Sequence, residues 1–498
     1  MASPDMVYAQ ASPISAGPLS LFARRRNVFR RTDEFVRPTP AVMSDPYFLR
    51  RSVGAVTSHP QVVRAAVAEL MAAGFEVLGA SRQTINFAGP PELFEKRFRT
   101  KLVEREMPLP RGMWSTFLDS PDTDVLGLLG TQGTTFSSVI EGVALEVPRY
   151  YFGENAAPPA VDYWHLRVPA DVAGGMNATP LHAYGVKGQG VHVAMVDSGW
   201  YSHAYFREQG YNVDPVVLAP AASNPDDDES GHGTGESANI LAIAPDCRLT
   251  PIKMNFVNTI AAFNAAVALQ PDIITCSWGS NSPFELSAAD MVLEAAVAAA
   301  VAQGIVVIFA AGNGHAGFPG QHPDVVSAGG VFLDPGGAWH ASDYSSAFSS
   351  QIYPGRQVPD VCGLVGLQPA AAYIMLPVQP GTNIDTGSAG GIHPVGDQTA
   401  PDDGWAAFSG TSAAAPQLAG VAALIKQVAP SLSPDLLKLV LAYTARDVAQ
   451  GFSAPVNPLH GGVAAGLGHD AATGPGLVDA TAAVLTAYWL NVMGYGSA

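Results

Sequence analysis

From Gly185 onward the chain alternates short, near-continuous apolar runs with Ala-rich stretches, a rhythm that few folds accommodate. The apolar runs are Val191–Val196, Leu249–Lys253, Ile273–Cys276, Ile305–Ala310 and Val325–Val331. Between them, Thr259–Leu269 and Ser287–Gln303 read as helices. A strand that is apolar along its whole length is buried on both faces. The spacing therefore predicts an α/β fold, a parallel sheet with helices on both faces. Chemistry in such sheets gathers at the carboxyl ends of the strands.

The chain has 498 residues, enough for more than one domain. Ahead of the α/β rhythm, Gln61–Gly74 and Pro90–Phe98 have helical spacing, while 75–78 and 84–88 alternate as strands. This predicts a small α+β, ferredoxin-like module over 47–105. Residues 1–46 read as a loose tail and 106–160 as a connector. The α/β domain fills 161–498, with a turn-rich insertion or long loop at 363–403 close to the site.

Charge divides along the same line. Residues 1–111 carry 16 Lys and Arg against 10 Asp and Glu, whereas the remainder carries 10 against 33. A basic front facing an acidic body suits two parts of one chain that associate. The acidic body argues against nucleic acid as a partner. The sequence has no apolar run of membrane-spanning character. Cys247, Cys276 and Cys362 form neither a disulfide framework nor a metal pattern. The basic patch Arg24–Arg31 runs into Thr32-Asp33-Glu34 where a signal peptide needs apolar residues. The expectation is a cytoplasmic or non-classically exported protein.

Four residues stand out for chemistry. Ser412 lies in Gly410-Thr411-Ser412-Ala413-Ala414-Ala415-Pro416, at the start of an apolar helix where free N–H groups favour developing negative charge. The same position suits a helix cap. Asp197 ends the strand Val193–Asp197, where a turn residue is also common. His232 stands between Gly231 and Gly233, which clear room for its ring. Asn313 follows a strand in Gly312-Asn313-Gly314, a setting that also suits a left-handed turn residue. Together they supply what acyl transfer needs: a nucleophile, a base, an acid to hold the base and an oxyanion donor.

In the order Asp…His…Ser, with blocks Val193–Gly199, Gly231–Thr234 and Gly410–Pro416, the chain resembles the subtilisin-like serine peptidases over about 162–484. The resemblance implies Ser412 as nucleophile, His232 as general base and then acid, and Asp197 as the group that orients it. Asn313 and the Ser412 N–H would form the oxyanion hole. It also implies substrate contacts at Ser277-Trp278-Gly279, an edge strand for an extended peptide, and at Gly312, Gly317 and Thr411. Gly317 leaves room for a large apolar side chain, Phe318-Pro319 is a candidate cis peptide, and no acid is obviously placed to select a basic residue, with Glu285 and Asp324 as the only candidates. The N-terminal module resembles the family's propeptides. It would act as an intramolecular inhibitor and folding chaperone, released by cutting within about 145–162, and the partner of the mature site would be a polypeptide substrate.

The chain departs from the family after His232, where Gly235-Glu236-Ser237-Ala238 replaces the usual second His. The short connection Ile243–Arg248 leaves no room for a calcium loop, so no metal ligands are assigned, no cofactor is required for the chemistry, and any structural calcium is unplaced. The run Asp226-Asp227-Asp228-Glu229 reads as a solvated loop or a cation site. Two alternatives stay open. A sedolisin-type acid peptidase would use Glu in place of His, with Glu236 as the available acid, and a catalytically silent relative would bind peptides without cutting them.

Overall fold

The computed structural model describes residues 6–17, 20–22, 53–108, 114–123, 125–147, 150–151, 153–154, 162–387, 389–456 and 461–495. The basic patch Arg24–Arg31 and most of the expected processing segment lie outside them.

The N-terminal module is built from β1 (Val7–Pro13), α1 (Pro60–Ala72), β2 (Glu76–Ala80), β3 (Ile85–Gly89), α2 (Pro91–Phe98) and β4 (Ile140–Leu145). Both helices begin on a proline, whose fixed φ and missing N–H suit a first turn. The strands run antiparallel in the order β2-β3-β1-β4. The path is β-α-β-β-α-β, and it departs from the expected boundaries in two places. Residues 7–13, expected in a loose tail, form a central strand, and β4 comes from the expected connector. Neither signal is local, because β1 earns its place by pairing with strands more than seventy residues away. Phe75, Phe87, Phe94, Phe98 and Phe136 fill the core of the module, with ring centroids 4.9–6.5 Å apart.

Beyond the module come two short strands, β5 (Tyr150–Tyr151) and β6 (Gly153–Glu154). The α/β domain then runs β7 (His192–Asp197), α3 (His232–Ile243), β8 (Arg248–Lys253), α4 (Thr259–Ala268), β9 (Ile273–Cys276), β10 (Trp278–Asn281), α5 (Ala288–Ala302), β11 (Val306–Ala310), β12 (Val326–Leu333), β13 (Val361–Leu364), β14 (Ser409–Gly410), α6 (Thr411–Val428) and α7 (Ala480–Val492). The strands β8-β7-β9-β11-β12-β13 pair in that order, all parallel. Chain order reverses beside β7, and Asp197 ends that strand, so the acid sits at a topological switch point. The capping box of Ser287 and Asp290 starts α5.

The two parts share a core. Ala144 of β4, with Leu21, Phe22, Val56, Val125 and Leu128, joins Ile260, Phe263, Met291 and Leu293 of α4 and α5. Its neighbours Val143 and Leu145 point the other way, into the core of the module. Asn86 and Asn258 exchange side-chain hydrogen bonds of 2.7 and 3.1 Å across the contact. Asn264 Nδ2 adds a hydrogen bond to the Thr84 hydroxyl at 3.2 Å across the same contact. The stretch expected as an insertion carries regular structure. Ile374–Pro377 pairs with Trp405–Ala407, and Asn383–Gly387 is a short helix against the loop before α3.

Candidate active site

The His-bearing helix starts on a carboxylate that is wholly buried. Asp228 accepts from the Ser198 hydroxyl at 2.6 Å, the Gly231 N–H at 3.1 Å, and the Thr234 N–H and hydroxyl at 2.8 and 2.7 Å. It thus gathers two of the N–H groups that a helix start leaves unpaired. The four acids of this run therefore do not act alike. Asp228 is internal scaffolding, and Glu229 receives Lys253 Nζ at 2.7 Å. Among the described residues no group of three or more His, Cys, Asp or Glu is gathered to hold a metal.

The glycines around His232 have roles other than clearing its ring. Gly231 takes φ +84°, in the left-handed region. A Cβ on Gly233 would stand 2.3 Å from the Gly199 carbonyl oxygen and 3.1 Å from Asp197 Cβ, so the missing side chain lets α3 approach the end of β7. At that approach His232 Nδ1 lies 2.8 Å from Asp197 Oδ1, which also accepts the Ser198 N–H at 2.7 Å. A carboxylate only accepts, so Nδ1 carries the proton and Nε2 is left as the basic nitrogen. Burial would lower the proton affinity of this imidazole. The charge and hydrogen bond of Asp197, with Glu236 and Asp228, carry it above its ordinary value instead.

Ser412 is in the first turn of α6, fully buried, with its Oγ donating to the Ser277 carbonyl at 3.4 Å. Helices α3 and α6 run side by side in one direction. Asn239 Oδ1 accepts from Gln417 Nε2 at 3.1 Å, and a Cβ on Gly420 would stand 2.7 Å from Ile243 Cβ. Their first turns, bearing His232 and Ser412, thus lie at the same end. Phe408 fills the space that Gly235 leaves and lies 6.1 Å, ring to ring, from His232.

Asn313 is not a left-handed turn residue; Gly312 and Gly314 on either side take φ +116° and +85°. Its Oδ1 accepts the Thr411 N–H at 3.1 Å and the Thr411 hydroxyl at 3.0 Å. The backbone N–H must donate, which fixes which end of the amide is oxygen. The Nδ2 group is buried and has no hydrogen-bond partner among the described residues. A donor held ready in this way can receive a developing oxyanion. Thr411, expected to touch substrate, is an anchor for Asn313, and its hydroxyl also accepts the Gly312 N–H at 3.2 Å.

Ser277 donates its hydroxyl to the Ser412 carbonyl at 2.9 Å. Trp278 is buried and donates its indole N–H to the Val196 carbonyl at 2.9 Å, so the edge strand β10 is tied to the strand that carries Asp197. One edge of β10 pairs antiparallel with Gly317–Phe318, and the Phe318-Pro319 bond is cis. Its Trp278 and Gly279 pair antiparallel with Tyr151 and Tyr150, and β14 pairs antiparallel with β6. The edge expected to take a peptide is thus occupied by the chain's own backbone. Of the acids proposed to select a basic residue, Glu285 is exposed, while Asp324 is buried and acts electrostatically on Lys438.

Sequence reasoning missed Asp228, Asn239, Gln417 and Phe408. A buried polar residue gives no signal until its partners are known, and Asn239 to Gln417 spans 178 positions.

Comparison with known proteins adds the family. The profile of the Subtilase family matches residues 188–469. Alkaline elastase YaB of Bacillus sp. (strain YaB) is 28% identical over 286 residues, covering 53% of this chain and 61% of that protein. Subtilisin E of Bacillus subtilis (strain 168) is 27% identical over 301 residues, covering 56% of this chain and 66% of its own. The chain thus spans less than two thirds of the length of each. In fold it is similar to fervidolysin from Fervidobacterium pennivorans, a keratinolytic enzyme related to subtilisin, with a TM-score of 0.56 and 18% identity over 85% of this chain and 59% of that one. The profile takes in β7, α3 and the start of α6, and it covers more than half of the sequence: the chain belongs to the subtilase family.

Proposed function

We propose that this chain is a serine endopeptidase, made as a precursor whose N-terminal module covers the cleft until the connecting segment is cut. Ser412 Oγ attacks the peptide carbonyl while its proton passes to His232 Nε2, and Asp197 holds the Nδ1–H of the imidazolium that forms. Asn313 Nδ2 and the Ser412 N–H receive the oxyanion. The imidazolium then gives its proton to the leaving amine. Water repeats the sequence on the acyl-enzyme and frees Ser412.

One observation carries this reading: the chain lays its own backbone on both sides of Ser412. Strand β5 lies on the edge strand β10, and β6 lies on β14 immediately before the nucleophile. In sequence only Phe152 separates these strands. The bond to be cut is therefore Phe152–Gly153, within the segment expected to be processed. A large apolar residue before that bond agrees with the room expected at Gly317. The imidazole held by Asp197 at 2.8 Å favours His232 over Glu236 as the base that takes the Ser412 proton.

The test is the N-terminus of the protein produced from residue 1. The active chain should begin at Gly153, with the 1–152 fragment retained or degraded, and Ser412→Ala should remain full length. Wild-type protein that stays intact and cuts no peptide would contradict the proposal, as would Ser412→Ala that is processed equally well when pure.

A further inference from the structure

Glu236 is a fully buried carboxylate one helical turn beyond His232 on α3. Its Oε1 lies 3.8 Å from His232 Nε2, the nitrogen that must be bare to act as a base. Its other oxygen, Oε2, accepts from Asn239 Nδ2 at 3.0 Å. Asn239 is held in turn by Gln417, whose amide is clamped by the backbone of Leu364, accepting at 2.7 Å and donating at 3.0 Å. The chain of amides fixes the carboxylate from behind and leaves Oε1, which has no hydrogen-bond partner among the described residues, on the imidazole side. A carboxyl group put there only to pack would cost free energy that an apolar residue of similar size would not.

We infer that Glu236 is a second carboxylate acting on the catalytic imidazole, a positioning residue that shares one proton with His232 Nε2 and so sets the pH above which the base is free. The inference rests on the peptidase reading of the site. Once the pair loses that proton, Nε2 is bare beside a charged Glu236 and can accept from Ser412; with the proton on Glu236 both groups are neutral and Nε2 is bare as well. With it on Nε2 the imidazolium is flanked by Asp197 on one side and Glu236 on the other, and the base is blocked. The charged groups acting on His232 are Asp197, Glu236 and Asp228, and those acting on Glu236 are His232 and Asp197. From α6 the neutral amide of Gln417 reaches Asn239, the partner of Glu236, and from Ile374–Pro377 the apolar Leu376 packs against Gly235, between His232 and Glu236 in sequence. Burial raises the Glu236 carboxyl to about 8 against the pull of His232, in keeping with a proton held close to neutrality. Two groups this close titrate as a pair.

The test is the acid limb of kcat/KM against pH in the processed enzyme, measured with one peptide substrate. Glu236→Gln keeps the shape and the amide network but removes the charge that favours the imidazolium. The limb should move to lower pH by about one unit or more, so that activity at the foot of the limb rises by about tenfold or more. Glu236→Asp, with its charge further away, should fall between the two. A limb that stays in place in a folded Glu236→Gln enzyme would overturn the inference. Should that variant not fold, a ring-nitrogen NMR titration of His232 in the otherwise wild-type Ser412→Ala chain decides. Two inflections support the shared proton, and one overturns it. Failure of the peptidase reading looks different, because wild-type enzyme would then have no hydrolysis to profile.

Discussion

The hydroxyl of Ser277 donates to the carbonyl of Ser412 at 2.9 Å. The helix itself cannot supply that bond, because the residue four positions on is Pro416, which has no N–H. The proline thus frees a carbonyl at Ser412, and a side chain just past the end of the neighbouring strand β9 captures it. The position of Ser412 is set from outside its own helix.

Ser277→Ala removes this tie and leaves a buried acceptor without its donor. Thermal unfolding of the Ser412→Ala, Ser277→Ala double variant, compared with Ser412→Ala, should show a loss of about 1–3 kcal/mol. In the active enzyme kcat should fall by more than tenfold, since about 1 Å of misplacement can cost about a hundredfold.

Asn313→Ala should lower kcat by about 10²–10³, the scale found for the oxyanion asparagine in subtilisin, with KM little changed. Equal losses in kcat and kcat/KM would mark an interaction made in the transition state. Thr411→Val should reproduce part of this loss, because it removes the hydroxyl that helps hold Asn313 Oδ1.

Much of this arrangement was legible in sequence, for an identifiable reason. Strands buried on both faces are apolar throughout, and Asp197, Ser412 and Asn313 each stand beside such a strand or a small-residue helix. What escaped was relational. Strand β1 is specified by partners far along the chain, and Gly233 by the carbonyl of Gly199. Asp228 has no distinguishing mark among its acidic neighbours. A run of four acids reads as solvated until one of them is found beneath a helix N-terminus.

The contact between module and body should depend on the paired amides. Asn86→Ala leaves Asn258 with a weakened set of partners at a buried site. Added in trans, the isolated 1–152 fragment bearing this change should inhibit the processed enzyme at least tenfold less well than the unaltered fragment, about 1.4 kcal/mol. Inhibition constants from a progress-curve assay measure this directly.

Stability should fall in mild acid through His315. Burial lowers this imidazole from 6.5 to about 4. A group whose folded value is depressed in this way contributes stability above its unfolded pKa and loses it as pH drops through the folded value. The unfolding midpoint of Ser412→Ala, which cannot digest itself, should therefore decline between about pH 6.5 and 4. His315→Gln should flatten that decline.

The central claim is that Asp197, His232 and Ser412 act as one unit, and a fluorophosphonate probe on processed enzyme tests it most directly. Near neutral pH the probe should label Ser412, found by peptide mass spectrometry, and labelling should vanish in Ser412→Ala and fall by several orders of magnitude in His232→Ala. Labelling that persists undiminished in His232→Ala, or that is greatest near pH 4, would contradict the account.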